Sequence, residues 1–157
     1  TGHKVLKRAI EEDDCWDMVM AGYSLLNPSA RARVFVPAQA RDVGVLVMYA
    51  VRRVLSQPDR LENMIAHMIE EKLLDPDKID RADPLGFVLA DGGAQSLVDA
   101  AYRFCRHAPG VHVTLTGTGS LDHLKENIAS LDRGPLSDES LARLEDLFGH
   151  IDTISGN

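Results

Sequence analysis

Apolar residues along this chain fall alternately into helix-spaced stripes and short continuous runs. Val5, Leu6, Ala9 and Ile10 form a first helical stripe, closed by the acidic run from Glu11 to Asp14. Residues 16–23, from Trp16 to Tyr23, are largely apolar, end near the turn-prone Asn27-Pro28, and predict a strand. Residues 29–41 read as mixed helix, with Pro37 suited to opening a new helical turn. Residues 44–51, Gly44 to Val51, form an apolar run of strand length and predict a parallel strand buried on both faces. A long helix follows from about Pro58 to Leu74, with Leu61, Met64, Ile65, Met68 and Ile69 on one stripe. Residues 78–93, rich in charge and carrying Pro84, Gly86, Gly92 and Gly93, read as a loop-like insertion. Helix resumes near Gln95 and turns Leu97, Val98, Ala101, Phe104 and Cys105 inward. After Pro109-Gly110, residues 111–116 predict a third strand. Ser120 caps the next helix, which places Leu121, Leu124, Ile128 and Leu131 on one face. Ser137 caps a last helix, Asp138 to Phe148, with Leu136 and Leu141 as a hydrophobic staple and Gly149 as its stop.

Alternating helices and strands imply right-handed crossovers and a parallel α/β sheet. With crossovers in one direction, helices cover one sheet face only. Three strands would then leave an apolar face and two open edges in water. Closing the sheet into a barrel removes both problems. The pattern therefore predicts the C-terminal part of a (β/α)8 TIM-type barrel, with about three parallel strands. An open doubly wound sheet is the alternative. Residues 1–157 are expected to form a single incomplete domain, its open sheet covered by a missing N-terminal half or another chain.

Composition narrows the partners. The apolar share of 45% and charged share of 26% fit a globular domain. A net charge of -7 with scattered Lys and Arg argues against nucleic acid, whose binders carry a clustered basic footprint. No apolar run has the length of a membrane span, and none is expected. The opening Thr1-Gly2-His3-Lys4 reads as the interior of a longer protein rather than a leader. Cys15 and Cys105 lack CxxC spacing and are expected as two buried reduced thiols in a cytoplasmic protein, though a disulfide stays open. The six histidines show no HxxxH or HExxH pair, so no metal site is proposed.

The strongest chemical signal is strand, then Gly117-Thr118-Gly119-Ser120, then helix. Glycines let backbone amides approach an anion, and a helix N-terminus adds partial positive charge. A tight turn with an ordinary cap would look similar.

Residues 110–127, from Gly110 to Asn127, resemble the last strand and cofactor loop of the aldo/keto reductases, down to the Glu126-Asn127 pair. Pro135-Leu136-Ser137-Asp138-Glu139 is similar to that family's "PLSDEEL" segment, residues 100–104 to its "AALRF" helix, and Tyr23 to Asn27 to its "YNLLN" turn. The resemblance implies hydride transfer between NAD(P)H and a small aldehyde or ketone. It assigns the cofactor's phosphates to Gly117, Thr118, Gly119 and Ser120, and its adenine to Glu126 and Asn127. His123 takes the position beside the adenosine ribose, where an Arg would pair a 2′-phosphate, so NADP versus NAD stays open. Arg53 matches a pyrophosphate position, or is one of two solvated arginines.

Two residues depart from the family pattern. Met20 stands where a Gln contacts the nicotinamide carboxamide, and Met48 where an aromatic stacks on the ring, with Tyr49 adjacent. The family's Tyr, Asp, Lys and His tetrad comes from earlier strands with no counterpart here, so catalytic residues are expected to be none and the segment alone inactive. A non-catalytic nucleotide-sensing or structural relative is the rival reading. A barrel enzyme binding a phosphorylated substrate is a third.

Overall fold

The computed structural model describes residues 2–91 and 93–153; Thr1 of the opening tetrapeptide and Gly92 of the 78–93 segment lie outside them. Helix α1 (Gly2–Glu12) buries Ile10 and is braced on its outer side by Lys7–Glu11 and Arg8–Glu12 pairs one turn apart. Strand β1 (Met18–Gly22) follows. A wide helical turn, Arg31–Phe35, then closes with Val36 N–H donating to Arg31 O and runs into α2 (Val36–Ala40). Pro37 sits in the first turn of α2, where its missing N–H costs nothing. Strand β2 (Gly44–Met48) leads into α3 (Arg53–Ser56) and α4 (Pro58–Glu70). After α5 (Phe87–Ala90) and α6 (Leu97–Arg106) come β3 (Val113–Thr114), α7 (Leu121–Asp132) and α8 (Asp138–Phe148).

The described strands form one parallel sheet in the order β1-β2-β3, with Val19 opposite Val45 and Val47 opposite Thr114. Val19, Ala21, Val45 and Val47 face the helices and are buried. The opposite face carries Met18, Met20, Leu46, Met48 and Val113, and is open: Met18 is 60% exposed and Met20 46%. Helices thus cover one side, as element order required. Burial of β2 on both faces is corrected, because Leu46 and Met48 on its second face are only half-buried among the described residues.

Strands are shorter than the apolar runs. Tyr49 ends β2 by adopting a left-handed backbone, φ 67°, rarely taken by an aromatic residue. Pairing of β3 stops at two residues, although Leu115 N–H still donates to Val47 O. Helix α4 ends at Glu70, four residues early, because Lys72 turns left-handed and Leu73 and Leu74 fold back onto Met68 O. The 78–93 segment runs through turns and bends up to Gly86, yet it gives Ile79, Leu85, Phe87 and Val88 to the core and contains α5. Charge on its other positions hid that core contribution. Gly110, φ 88°, makes the turn into β3, and a Cβ there would come within 3.1 Å of Phe35 Cβ.

The α7 stripe is a further correction. Leu121 is 76% exposed and Ile128 49%, while Asn127 and Ser130 face inward. β3 is an edge of the described sheet, and that edge and this exposed apolar stripe are both surface that an adjoining strand–helix unit would bury. Cys105 is buried and Cys15 exposed, both as free thiols, which corrects the expectation of two buried ones.

One polar cluster ties the helices together. Arg103, almost fully buried, donates to the carbonyls of Gly134 at 2.7 Å, Pro135 at 2.8 Å and Gly93 at 3.0 Å, and lies 3.5 Å from Asp99. Asp99 also accepts from Arg133 at 2.7 Å and Gln95 N at 2.9 Å. Burial alone would raise the Asp99 pKa, but these donors and the Arg133 charge outweigh it and hold the carboxyl below its usual range. Replacing Arg103 by Ala should therefore cost about 3–5 kcal/mol in denaturant unfolding, since it removes the donor from three carbonyls and one of the two cations from the buried Asp99. A loss under about 1 kcal/mol would show the cluster to be solvated. Because the folded pKa is depressed, Asp99's contribution is present above roughly pH 4 and lost as pH falls through the folded value. The stability gap between wild type and Asp99→Asn should shrink between pH 7 and pH 3; a gap unchanged across that range would contradict the assignment.

Candidate functional site

A cavity of about 1010 Å³ opens at the C-terminal ends of the strands. That is the end where parallel sheets place ligands, because the strand-to-helix loops converge there. One wall is the β2 exit, from Met48 to Arg53, with α3 and the start of α4 behind it. The other is the β3 exit, from Leu115 to Thr118, with the inner side of α7. Leu97, Val98 and Tyr102 of α6 and residues 82–84 lie between them.

Six of the eight residues singled out from the sequence line this one space: Arg53, Gly117, Thr118, His123, Glu126 and Asn127. Gly119 and Ser120 stand outside the lining, at the loop's outer turn. Ser120 caps α7: its Oγ accepts from His123 N at 3.4 Å, while its own N–H donates to Thr118 Oγ1 at 3.1 Å. The backbone amides of Gly117, Thr118 and Gly119 make no hydrogen bond among the described residues. Three adjacent N–H groups thus stand without a hydrogen-bond partner among the described residues just ahead of the twelve-residue helix α7.

Side-chain chemistry differs between the two ends. Arg53 is exposed and has no ion-pair partner among the described residues. Arg52 instead stacks on the Tyr49 ring, 4.0 Å from its centroid. That ring rests against Gly22, where a Cβ would lie 3.2 Å from Tyr49 Cδ2, so the small residue ending β1 admits the aromatic ending β2. Carboxylates of Glu62, Asp83 and Glu126 border the space. Asn127 is buried against the floor, and its Nδ2 donates to Thr116 Oγ1 at 2.8 Å. Tyr102, also buried, places its hydroxyl 2.7 Å from the same oxygen.

Sequence reasoning missed Tyr102 and Thr116. Tyr102 stands where the "AALRF" segment it resembles has Leu, and that gain of a hydroxyl was the available signal. The other tyrosines have different surroundings. Tyr23 is core: it stacks on Phe104 at 5.1 Å, meets Phe35 edge-on at 4.9 Å, and accepts from Arg31 at 2.8 Å. Burial pushes its phenol pKa far up, which suits a packed ring and not a proton donor to solvent. Burial likewise pushes the Cys105 thiol up. Among the described residues no His, Cys, Asp and Glu group could hold a metal, and no helix is long and apolar enough to cross a membrane.

Comparison with known proteins agrees with this geometry. No curated protein sequence matches the chain. Among solved structures it is similar to the aldo-keto reductase AKR11C1 from Bacillus halodurans, in the holo form (TM-score 0.61, 18% identity) and the apo form (TM-score 0.62, 16% identity). Each alignment covers 98% of this chain, but only 50% and 51% of the solved chains, so the chain spans about half the length of the structures it matches. At that identity the likeness shows the fold alone. The model of the aldo/keto reductase family, however, matches residues 2–148. With nearly its whole length matched, and three parallel strands opening a cavity at their C-terminal ends, this chain belongs to the aldo/keto reductase family.

Proposed function

We propose that this chain supplies the dinucleotide-holding part of an NAD(P)-dependent oxidoreductase that reduces small aldehydes or ketones. The observation that carries the reading is the convergence of Arg53, Gly117, Thr118, His123, Glu126 and Asn127 on one cavity. The residues present fit such a group. The backbone N–H groups of Gly117, Thr118 and Gly119 would donate to the pyrophosphate oxygens, and Arg53, which has no ion-pair partner among the described residues, would add a side-chain cation. Ser120 contributes indirectly by capping α7 and fixing the loop. Glu126 and Asn127 would take the adenine, and His123 the ribose. Met48 and the Tyr49 ring would offer an apolar end for the nicotinamide to pack against. Bound there, the cofactor supplies the hydride; these residues bind and orient it.

Carbonyl reduction also needs a proton for the oxygen. The tyrosines here are engaged elsewhere: Tyr23 in the core, Tyr49 with Arg52, Tyr102 with Thr116. The acid is therefore assigned to the barrel's other half, as a preceding segment or separate chain, which also covers the open sheet face and the α7 stripe. Without that acid, the rate falls by roughly 10² to 10⁴. A second reading, a nucleotide-binding relative without turnover, draws on Met20, which cannot hydrogen-bond a carboxamide as an amide side chain would. NADH binding without consumption in the presence of varied aldehydes and ketones would favour it.

The test is a nucleotide titration of the full-length protein. Arg53→Ala should weaken NADH and NADPH alike by about 10- to 100-fold, the loss of a charge-assisted contact to phosphate. Unchanged affinity for both would remove Arg53 from the site. His123→Arg should strengthen NADPH selectively, because the guanidinium can pair a 2′-phosphate bidentately. Equal changes for the two nucleotides would place the ribose elsewhere.

A further inference from the structure

We infer that Thr116 and Tyr102 are positioning residues that lock the Asn127 amide with Oδ1 toward the cavity, so that the site selects a base bearing an amino group over one bearing an oxo group. This rests on the proposal that the α7 end of the cavity takes the base. Thr116 lies on the β3 exit, Tyr102 on α6 and Asn127 on α7, so three elements meet at one hydroxyl. Thr116 Oγ1 is 2.8 Å from Asn127 Nδ2 and 2.7 Å from the Tyr102 hydroxyl.

A free carboxamide can turn over and present either its oxygen or its nitrogen at almost no cost. Here Nδ2 is committed to Thr116, and Asn127 Oδ1 has no partner among the described residues. The atom this fixes toward a ligand is the acceptor Oδ1, with the second N–H of Nδ2 beside it. It matches the exocyclic amino group of adenine and repels the oxo group of hypoxanthine. Tyr102 makes the commitment firm. A threonine hydroxyl has several staggered positions; when it gives its proton to the oxygen of the buried Tyr102 hydroxyl, its Oγ1 is left to accept from Asn127 Nδ2 and has no proton to offer Oδ1. The segment this helix resembles has Leu at that position, so the second bond belongs to this chain's own residues.

The experiment compares NADH with its hypoxanthine counterpart, reduced nicotinamide hypoxanthine dinucleotide, by titration of the full-length protein. Wild type should bind the adenine form about 10-fold more tightly. Thr116→Val keeps the shape but removes the acceptor, and should cut that ratio below about 3-fold, mainly by improving the hypoxanthine form. Thr116→Ser should restore the ratio, and Tyr102→Phe should give an intermediate one. A merely structural role would weaken both nucleotides equally and leave the ratio alone. If Asn127→Ala abolishes the ratio while Thr116→Val preserves it, the positioning inference is overturned and the base assignment stands. If Asn127→Ala leaves the ratio intact, the base assignment itself fails.

Discussion

One-sided burial of the parallel sheet governs the rest of this structure. Val19, Ala21, Val45 and Val47 pack under helices, and the same strands turn Met18, Met20, Leu46 and Val113 the other way. An aliphatic side chain fully removed from water stabilises by about 1.5–3 kcal/mol, and this face forgoes that gain for several residues at once. β3 is an edge of the described sheet, and Leu121 and Leu124 of α7 are exposed. An apolar sheet face, an unpaired strand edge and an apolar helix stripe are together accounted for by continuing the barrel. Solved relatives of twice the length give the continuation a physical size.

The same geometry explains why the cavity sits where it does. Parallel strands end together, so the loops after β2 and β3 are neighbours although more than 60 residues separate them. Left-handed Tyr49 turns the chain sharply at the end of β2 and brings Arg52 and Arg53 to the rim. Ser120 fixes the start of α7, and the Asp99–Arg103–Arg133 cluster holds its far end through the Gly134 and Pro135 carbonyls. Helix α7 is thus fastened at both ends while its inner side faces the cavity. Under the proposed reading, this fastening would hold one short run of residues, Gly117 to Asn127, against both the anionic and the aromatic part of a dinucleotide.

Much of this was legible in the sequence where a residue's chemistry decides its local conformation. Ser96, Ser120 and Ser137 each cap a helix, and only the latter two were singled out beforehand. The order of helices and strands, their parallel pairing, and the gathering of Arg53 with the β3 loop followed from pattern and resemblance. What stayed hidden depends on contacts between distant segments. Periodicity places Leu121, Leu124 and Ile128 on one face of α7 but cannot say that this chain supplies nothing to cover it. The charges of the 78–93 segment mask Leu85 and Phe87, whose burial is decided by neighbouring helices. Tyr102 is only one position of the "AALRF"-like helix until Thr116 is found at its hydroxyl, with Asn127 at the same threonine oxygen.

The account stands or falls on whether the bare sheet face is the inside of a barrel. Methionine oxidation by dilute peroxide measures this directly, because thioether accessibility sets the rate and mass spectrometry reads each site. Met18 and Met20 are open to solvent in this chain, and Met68 is fully buried. In the full-length protein, the account predicts that Met18 and Met20 oxidise nearly as slowly as Met68. Oxidation of Met18 at the rate of a solvent-exposed methionine would contradict it.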